Sequence, residues 1–244
     1  YSHANRNNAR RASFQWHDIP ANPGGKLTVP GSGIAGNVEN GSSGSAWGLR
    51  HNQELTKGWN NTVFLQTSNG HADINGKFYG LTTASTSQQV TGGPGAWTIT
   101  NVTTANAHLG ARQRLVADAM DWQFGKFGGQ AMIGWVTRTP DGGNEIRDFS
   151  AGGRVSYAVA PHTKLLAELG NSSRSGDGAK QTLNKGTLAL AFAVNDKFWS
   201  RPEFRLYVTR ANWNEAAAIA NASTFGKNGR RNDTIAGIQV EAWW

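Results

Sequence analysis

Hydrophobic and polar positions alternate with a period of two along most of the chain, and no sustained helical period accompanies them. The alternation is clearest in the second half, where Phe149, Val155 and Tyr157 fall on one face of a strand and Arg154 and Ser156 fall on the other. The pattern predicts eleven strands, near residues 10–19, 26–36, 45–55, 61–69, 107–119, 129–139, 148–159, 164–172, 184–195, 202–213 and 232–244. Such strands suit either a sandwich with a wet outer face or a barrel with lipid outside and water inside.

The connections between the predicted strands alternate in length, and this separates the two architectures. The brief ones are 20–25, 56–60, 120–128, 160–163 and 196–201. The others are generally longer and rich in Gly, Ser and Asn, including 70–106 and 214–231, where 214–224 could form a short helical turn. A transmembrane antiparallel β-barrel with short periplasmic turns and long external loops produces this rhythm, whereas a Greek-key sandwich has no reason to.

The composition excludes membrane-spanning helices and argues against a nucleic-acid partner. The mean hydropathy of −0.50 and the 31 glycines fit apolar atoms spread over one face of many strands, and no apolar run approaches the ~20 residues of a membrane-spanning helix. The net charge of +8 comes from scattered cations without aromatic stacking platforms, so we expect no nucleic-acid partner.

Enzymatic and cofactor-dependent functions also find no support. The chain has no Cys, and its six His residues show no metal-ligand spacing and no nucleophile setting. The segment Gly31–Gly36 has the glycine spacing of a dinucleotide site, but it opens into a polar loop instead of a helix. We therefore predict no enzyme, no metal and no cofactor.

The strand count bears on the domain organisation. A single-chain bacterial barrel closes with an even number of strands, and an open sheet edge cannot lie in lipid. We therefore expect residues 1–244 to form one barrel domain that lacks its N-terminal part or completes itself with another segment.

The last predicted strand divides two adjacent tryptophans. Trp244 shares its parity with Ile238 and Val240, whereas Trp243 shares its parity with Gln239 and Glu241. We therefore predict Trp244 in the aromatic girdle at the lipid interface and Trp243 in the lumen. Trp16, Trp59, Trp122 and Trp135 are interpreted as girdle or packing residues.

Four segments together resemble the maltoporins, or sugar porins: the terminal EAWW, FWSRPEFRLY at 198–207, NPGG at 22–25 and HNQELTKGWN at 51–60. The resemblance runs over nearly the whole chain, though loosely in 70–106 and 214–231. It implies the C-terminal part of a barrel of about eighteen strands. It also implies a homotrimer in the bacterial outer membrane that passes maltose and maltodextrins along a track of aromatic side chains.

The resemblance assigns the sugar-stacking role to Trp243, Trp199 and Trp47, the last at a position where the family pattern has Phe. An aromatic ring suits this role because a pyranose presents C–H groups on its faces and hydroxyls round its rim. Each Trp also has a plainer interpretation as a packing or interface residue.

Polar residues on the predicted lumen face could form a second track that binds the sugar hydroxyls. The candidates are Arg154, Glu168, Arg205 and Gln239. A solvated wall carries charges in any case, so parity alone does not assign the role.

Three alternatives remain open at this stage. The chain could be a general porin without a sugar site, or a soluble β-sandwich that binds carbohydrate. Basic loop residues could contact lipopolysaccharide phosphates at the outer rim or could simply be solvated, and they are Arg174, Lys180, Lys227, Arg230 and Arg231.

Overall fold

The computed structural model describes residues 10–35, 43–70, 72, 86–93, 96–103, 111–140, 143–176, 178–222, 224 and 229–242. Its strands are β1 (Arg10–Asn22), β2 (Gly25–Ala35), β3 (Gly44–Thr56), β4 (Trp59–Asn69), β5 (Thr86–Gly93), β6 (Ala96–Thr103), β7 (Arg112–Phe124), β8 (Phe127–Thr139), β9 (Ile146–Ala160), β10 (Thr163–Ser175), β11 (Gln181–Ala193), β12 (Glu203–Trp213) and β13 (Asn232–Glu241). One short helix, α1, spans Glu215–Ala220.

Eleven of these strands form a single antiparallel sheet in the order β1-β2-β3-β4-β7-β8-β9-β10-β11-β12-β13. Each of the eleven predicted strands is confirmed, with ends displaced by up to five residues. The turn between β7 and β8 is shorter than the predicted connection 120–128, because the alternation of side chains continues through Phe124 and resumes at Phe127. Neighbouring strands in this sheet are joined in sequence order, as in an up-and-down barrel wall.

The long connection 70–106 contains two strands that the sequence analysis did not predict. Strands β5 and β6 pair with each other there as a separate two-stranded sheet. The glycines at the end of β5, Gly92 and Gly93, interrupt the alternation of side chains there. The helical turn predicted in 214–224 is confirmed as α1, where the Asn214 side chain accepts a hydrogen bond from the Ala217 N–H at 3.0 Å.

The register divides the sheet into two faces, because directly paired residues of antiparallel strands lie on the same face. One cross-strand row contains Gln130, Arg154, Glu168, Thr187 and Thr209. We call the face that carries this row the polar face. The adjacent row contains Gly129, Val155, Ala167, Leu188 and Val208, and we call its face the apolar face.

Aromatic side chains on the apolar face form two rows. The lower aromatic row lies beside the short turns and contains Trp59, Trp122, Phe124, Phe127 and Tyr157. The upper aromatic row lies towards the long loops and contains Phe14, Trp47, Trp135 and Phe149. Along β8, Phe127 and Trp135 are separated by about 26 Å at about 3.3 Å per residue, or about 20 Å along the membrane normal for a strand tilted about 40°. This spacing is close to the apolar band of about 25 Å that outer-membrane barrels present to lipid.

Large side chains on the apolar face are exposed. Leu169, Leu188 and Val240 expose 73%, 63% and 67% of their surfaces. A continuous apolar surface of this kind is unfavourable in water and favourable in lipid. Among the residues that the structure describes, none belongs to a helix long and apolar enough to cross a membrane.

Candidate functional site

The centre of the polar face carries an ion-paired group of three side chains. Arg154 donates two hydrogen bonds to Glu168, with Nε and Nη2 at 2.9 and 2.7 Å from Oε2. Lys185 lies on the other side, with Nζ 2.7 Å from Glu168 Oε1. All three side chains keep contact with solvent, so their remaining donors can bind a polar ligand.

The four residues predicted as a polar track come together on this face. A cleft of about 350 Å³ is lined by Arg154, Glu168, Arg205 and Gln239, together with Tyr207. Their common placement agrees with the parity of strands β9 to β13. Whether they bind sugar hydroxyls stays a prediction.

The connection between β11 and β12 departs from a simple turn. Residues 194–202, which we call the inward turn, fold over the polar face and contact strands β7 and β8. The Phe198 N–H donates to Gln123 Oε1 at 2.7 Å, and the Phe198 side chain is buried, with 2% of the residue exposed. These contacts carry the connection back across the lower end of the sheet.

Trp199 stands on the inward turn at the edge of a second cleft. This cleft has a volume of about 590 Å³ and is lined by Trp199 together with Thr62, Asp121, Gln130, Arg154 and Glu168 among others. Trp199 is 47% exposed, and its ring meets the Phe198 ring edge-on at a centroid distance of 4.9 Å. An indole surface therefore lies beside carboxylate, amide and guanidinium groups, as a ligand with flat apolar faces and a polar rim requires.

A buried cluster of charges lies beneath the inward turn. Lys164 Nζ is 2.5 Å from Glu203 Oε2, and both side chains are completely buried. Arg205 lies 2.5 Å from both Glu203 and Glu241, and Arg201 lies 2.9 Å from Glu241. Three cations facing two carboxylates give this cluster a formal charge of +1. Because such groups are stable in a protein interior only when paired, the cluster fixes the ends of β10, β12 and β13 relative to one another.

Comparison with known proteins identifies the group to which the chain belongs. The family model described as LamB porin matches residues 1–244. The chain belongs to the LamB porin family.

Individual relatives match in part. The porin is 28% identical over 114 residues to a maltoporin of Hahella chejuensis, which covers 47% of this chain and 27% of that protein. It is 35% identical over 98 residues to maltoporin 2 of Yersinia pestis, which covers 38% of this chain and 22% of that protein. The matched segments thus span about a quarter of the length of these curated relatives.

A solved structure shows the same fold. OmpTdeltaL8, a loop deletion mutant of the outer-membrane protein OmpT of Vibrio cholerae, superposes with a TM-score of 0.50 at 12% identity. The match covers 84% of this chain and 57% of that chain. Together with the family, it shows that the porin is a transmembrane antiparallel barrel of the bacterial outer membrane. The apolar face is therefore the lipid side and the polar face lines the lumen.

Trp47 does not lie on the lumen side, which corrects its assignment as a stacking residue. Its neighbour on the same strand face, Leu49, is connected through Leu65 and Val116 to Trp135 on the apolar face. The Trp47 ring packs edge-on against Phe14 at 5.7 Å. Trp47 is therefore a member of the upper aromatic row, where the parity of β3 puts it.

Six other tryptophans were given a role by the sequence analysis, and four of them lie in the described part of the chain. Trp16, Trp59, Trp122 and Trp135 all lie on the apolar face, which agrees with their interpretation as girdle or packing residues. Trp243 and Trp244 lie outside the described residues, so the sugar contact assigned to Trp243 stays a prediction.

Two lumen aromatics were missed by the sequence analysis. Phe64 pairs with Arg50 and Ala117 on the polar face, and a continuous apolar stretch around it hid its parity. Tyr207 lies over Gly237, where an added Cβ would come within 2.8 Å of the phenol oxygen. The parity of β12 already separated Tyr207 from Leu206 and could have identified it.

Proposed function

We propose that this porin allows maltose and maltodextrins to diffuse passively across the outer membrane and catalyses no reaction. The observation that carries the proposal is the half-exposed ring of Trp199 beside Arg154 and Glu168, in a cleft on the lumen side of the sheet. Membership of the LamB porin family and partial matches to two maltoporins support the same substrate class.

The geometry suits weak and reversible binding. A sugar ring that stacks on Trp199 can exchange hydrogen bonds between its rim and the groups of Asp121, Gln130 or Arg154. The site is open to the lumen, so such a sugar keeps a path onwards. Conduction requires that the sugar binds weakly enough to leave, because a deep site would retain it.

The proposal is tested with the full-length protein in planar lipid bilayers. We expect maltohexaose to reduce the ion current in a saturable way, and we expect liposomes that contain the porin to swell in maltodextrins faster than in sucrose. A general porin without a sugar site would show current without saturable block. That result would reject the sugar site while leaving the porin fold intact.

We also propose that the porin assembles as a homotrimer, as its resemblance to sugar porins implies. Trimers of outer-membrane barrels resist sodium dodecyl sulfate below their melting temperature, so unheated and boiled samples should migrate differently. Chemical crosslinking in native membranes should give bands at one, two and three times the protomer mass. A protomer band alone under both conditions would contradict the trimer.

Lipopolysaccharide is the proposed lipid partner at the outer rim. Among the predicted loop cations, Arg174 is paired with Asp148 and Arg231 with Glu215, and Lys227 lies outside the described residues. A further group lies just beyond the upper aromatic row, where Arg114 and Arg147 flank Thr137 and Arg147 pairs with Glu145 at 2.7 Å. We expect Arg114→Gln combined with Arg147→Gln to lower the amount of lipopolysaccharide that copurifies, and an unchanged amount would reject this contact.

A further inference from the structure

The inward turn is held in the lumen by contacts to three separate strands, and its function follows from the position of Trp199. We propose that the inward turn is a fixed constriction at the short-turn end of the channel, and that Gln123 and Gly128 are positioning residues that hold Trp199 over the sugar cleft. This inference rests on the proposed sugar site.

Gln123 provides the first attachment, at the end of β7. Its Oε1 accepts the Phe198 N–H at 2.7 Å, across 75 positions of sequence. Its Nε2 donates to the Gly125 carbonyl oxygen at 2.7 Å, which fixes the amide orientation. Gln123 therefore connects the β7–β8 turn to the residue that precedes Trp199.

Gly128 provides the second attachment by its lack of a side chain. A Cβ added at Gly128 would lie 2.6 Å from Phe198 Cβ and 2.7 Å from Gln123 Oε1. No positive φ is recorded for Gly128, so the glycine is required by the close approach and not by the backbone conformation. The Phe198 side chain therefore packs directly against the Cα of Gly128.

Lys164 provides the third attachment, from β10. Its Nζ donates to the Lys197 carbonyl oxygen at 2.9 Å while it pairs with Glu203. Arg201 adds hydrogen bonds from Nη1 to the carbonyl oxygens of Phe198 and Ser200 at 3.0 and 2.9 Å. The backbone on both sides of Trp199 is thus fixed by charged donors, which make stronger hydrogen bonds than neutral ones.

These attachments have two consequences for the channel. The turn occupies lumen volume, so its release would widen the short-turn end and raise the ion conductance. Its release would also let Trp199 leave the cleft of Asp121, Gln130 and Arg154. Conductance reports the first consequence without any sugar, and sugar block reports the second.

The experiment compares Gln123→Ala and Gly128→Ala with unmodified full-length porin in planar bilayers, with maltohexaose as the probe. We expect both variants to weaken the sugar block about threefold to tenfold, the equivalent of one lost aromatic contact, and to raise the conductance. Gln123→Glu keeps an oxygen acceptor for the Phe198 N–H but loses the donor to the Gly125 carbonyl oxygen, so it should retain more of the block than Gln123→Ala and less than the unmodified porin. Gly33→Ala is the matched control, because an added Cβ there has no heavy atom within 4 Å.

A double-mutant cycle separates positioning from general damage. In the Trp199→Ala background, Gln123→Ala should cause no further loss of block, because the ring that it positions is already absent. Additive losses, or an unchanged block in both Gln123→Ala and Gly128→Ala, would overturn the inference. If the unmodified porin shows no sugar block at all, the proposed sugar function fails instead, and an unchanged conductance in the two variants would then overturn the constriction as well.

Discussion

Trp47 and Trp199 are exposed to nearly the same extent, 51% and 47%, and yet they lie on opposite sides of the barrel wall. Trp47 packs against Phe14 in a row of aromatic rings that meets lipid, whereas Trp199 stands beside Arg154 and Glu168 in the lumen. Exposure therefore does not distinguish an anchor from a ligand platform in this fold. The side of the barrel wall on which the residue lies distinguishes the two roles, because one side meets lipid and the other meets water.

A second comparison concerns two ion pairs that differ in burial. On the lumen side, Lys164 and Glu203 are completely buried and paired beneath the inward turn. At the rim, Lys26 and Asp18 form a pair whose side chains are 64% and 72% exposed. Burial should make the first pair matter far more for stability than the second.

The largest expected effect comes from removing one member of the buried pair. Lys164→Met leaves the Glu203 carboxylate with Arg205 as its main partner, and we expect a loss of about 3–5 kcal/mol in the free energy of unfolding. Urea unfolding in lipid bilayers measures this change. The control Lys26→Met should cost less than about 1 kcal/mol, and equal effects of the two substitutions would contradict the account.

A charge placed on each face in turn should produce the next largest effect. Leu188→Arg puts a cation on the lipid side near the middle of the apolar band, and we expect it to destabilise the inserted barrel by about 2–4 kcal/mol. Thr187→Arg, one residue earlier, puts the same cation in the lumen and should change stability little. A comparable loss from both would show that the assignment of faces is wrong.

A smaller effect is expected from the charges of the central group. Glu168→Gln removes the only carboxylate between Arg154 and Lys185 in that group, so its formal charge rises from +1 to +2. The channel should then favour anions more strongly, which the reversal potential in a potassium chloride gradient measures. Glu145→Gln, at a carboxylate that pairs with Arg147 near the long loops, is the control and should leave the potential nearly unchanged.

The sequence alone was sufficient to predict the strands of the barrel wall and the polar residues of the candidate site. Strands β9 to β13 alternate cleanly, so the lumen positions of Arg154, Glu168, Arg205 and Gln239 followed from parity. In β3 the residues His51 to Glu54 are polar on both faces, so the sequence pattern alone did not assign a face to Trp47, and its role came from a resemblance. The observed register of β3 shows which face Trp47 occupies.

Other features depend on contacts that are distant in sequence. The path of the inward turn is set by Gln123 and Gly128, which precede Phe198 by about seventy residues, so its sequence predicts only a connection. In the described part of the chain, β5 and β6 form a two-stranded sheet separate from the large one, so the rhythm of the barrel strands did not indicate them. Local patterns predict alternating strands well because alternation is itself local.

The most direct test replaces each of the two compared tryptophans by alanine and measures the block of ion current by maltohexaose. Trp199→Ala should weaken the block by about threefold to tenfold, because the stacking surface in the lumen is lost. Trp47→Ala should leave the block unchanged, because its ring faces lipid beside Phe14. An unchanged block in Trp199→Ala, or an equal loss in Trp47→Ala, would contradict the assignment of the two faces and of the sugar platform.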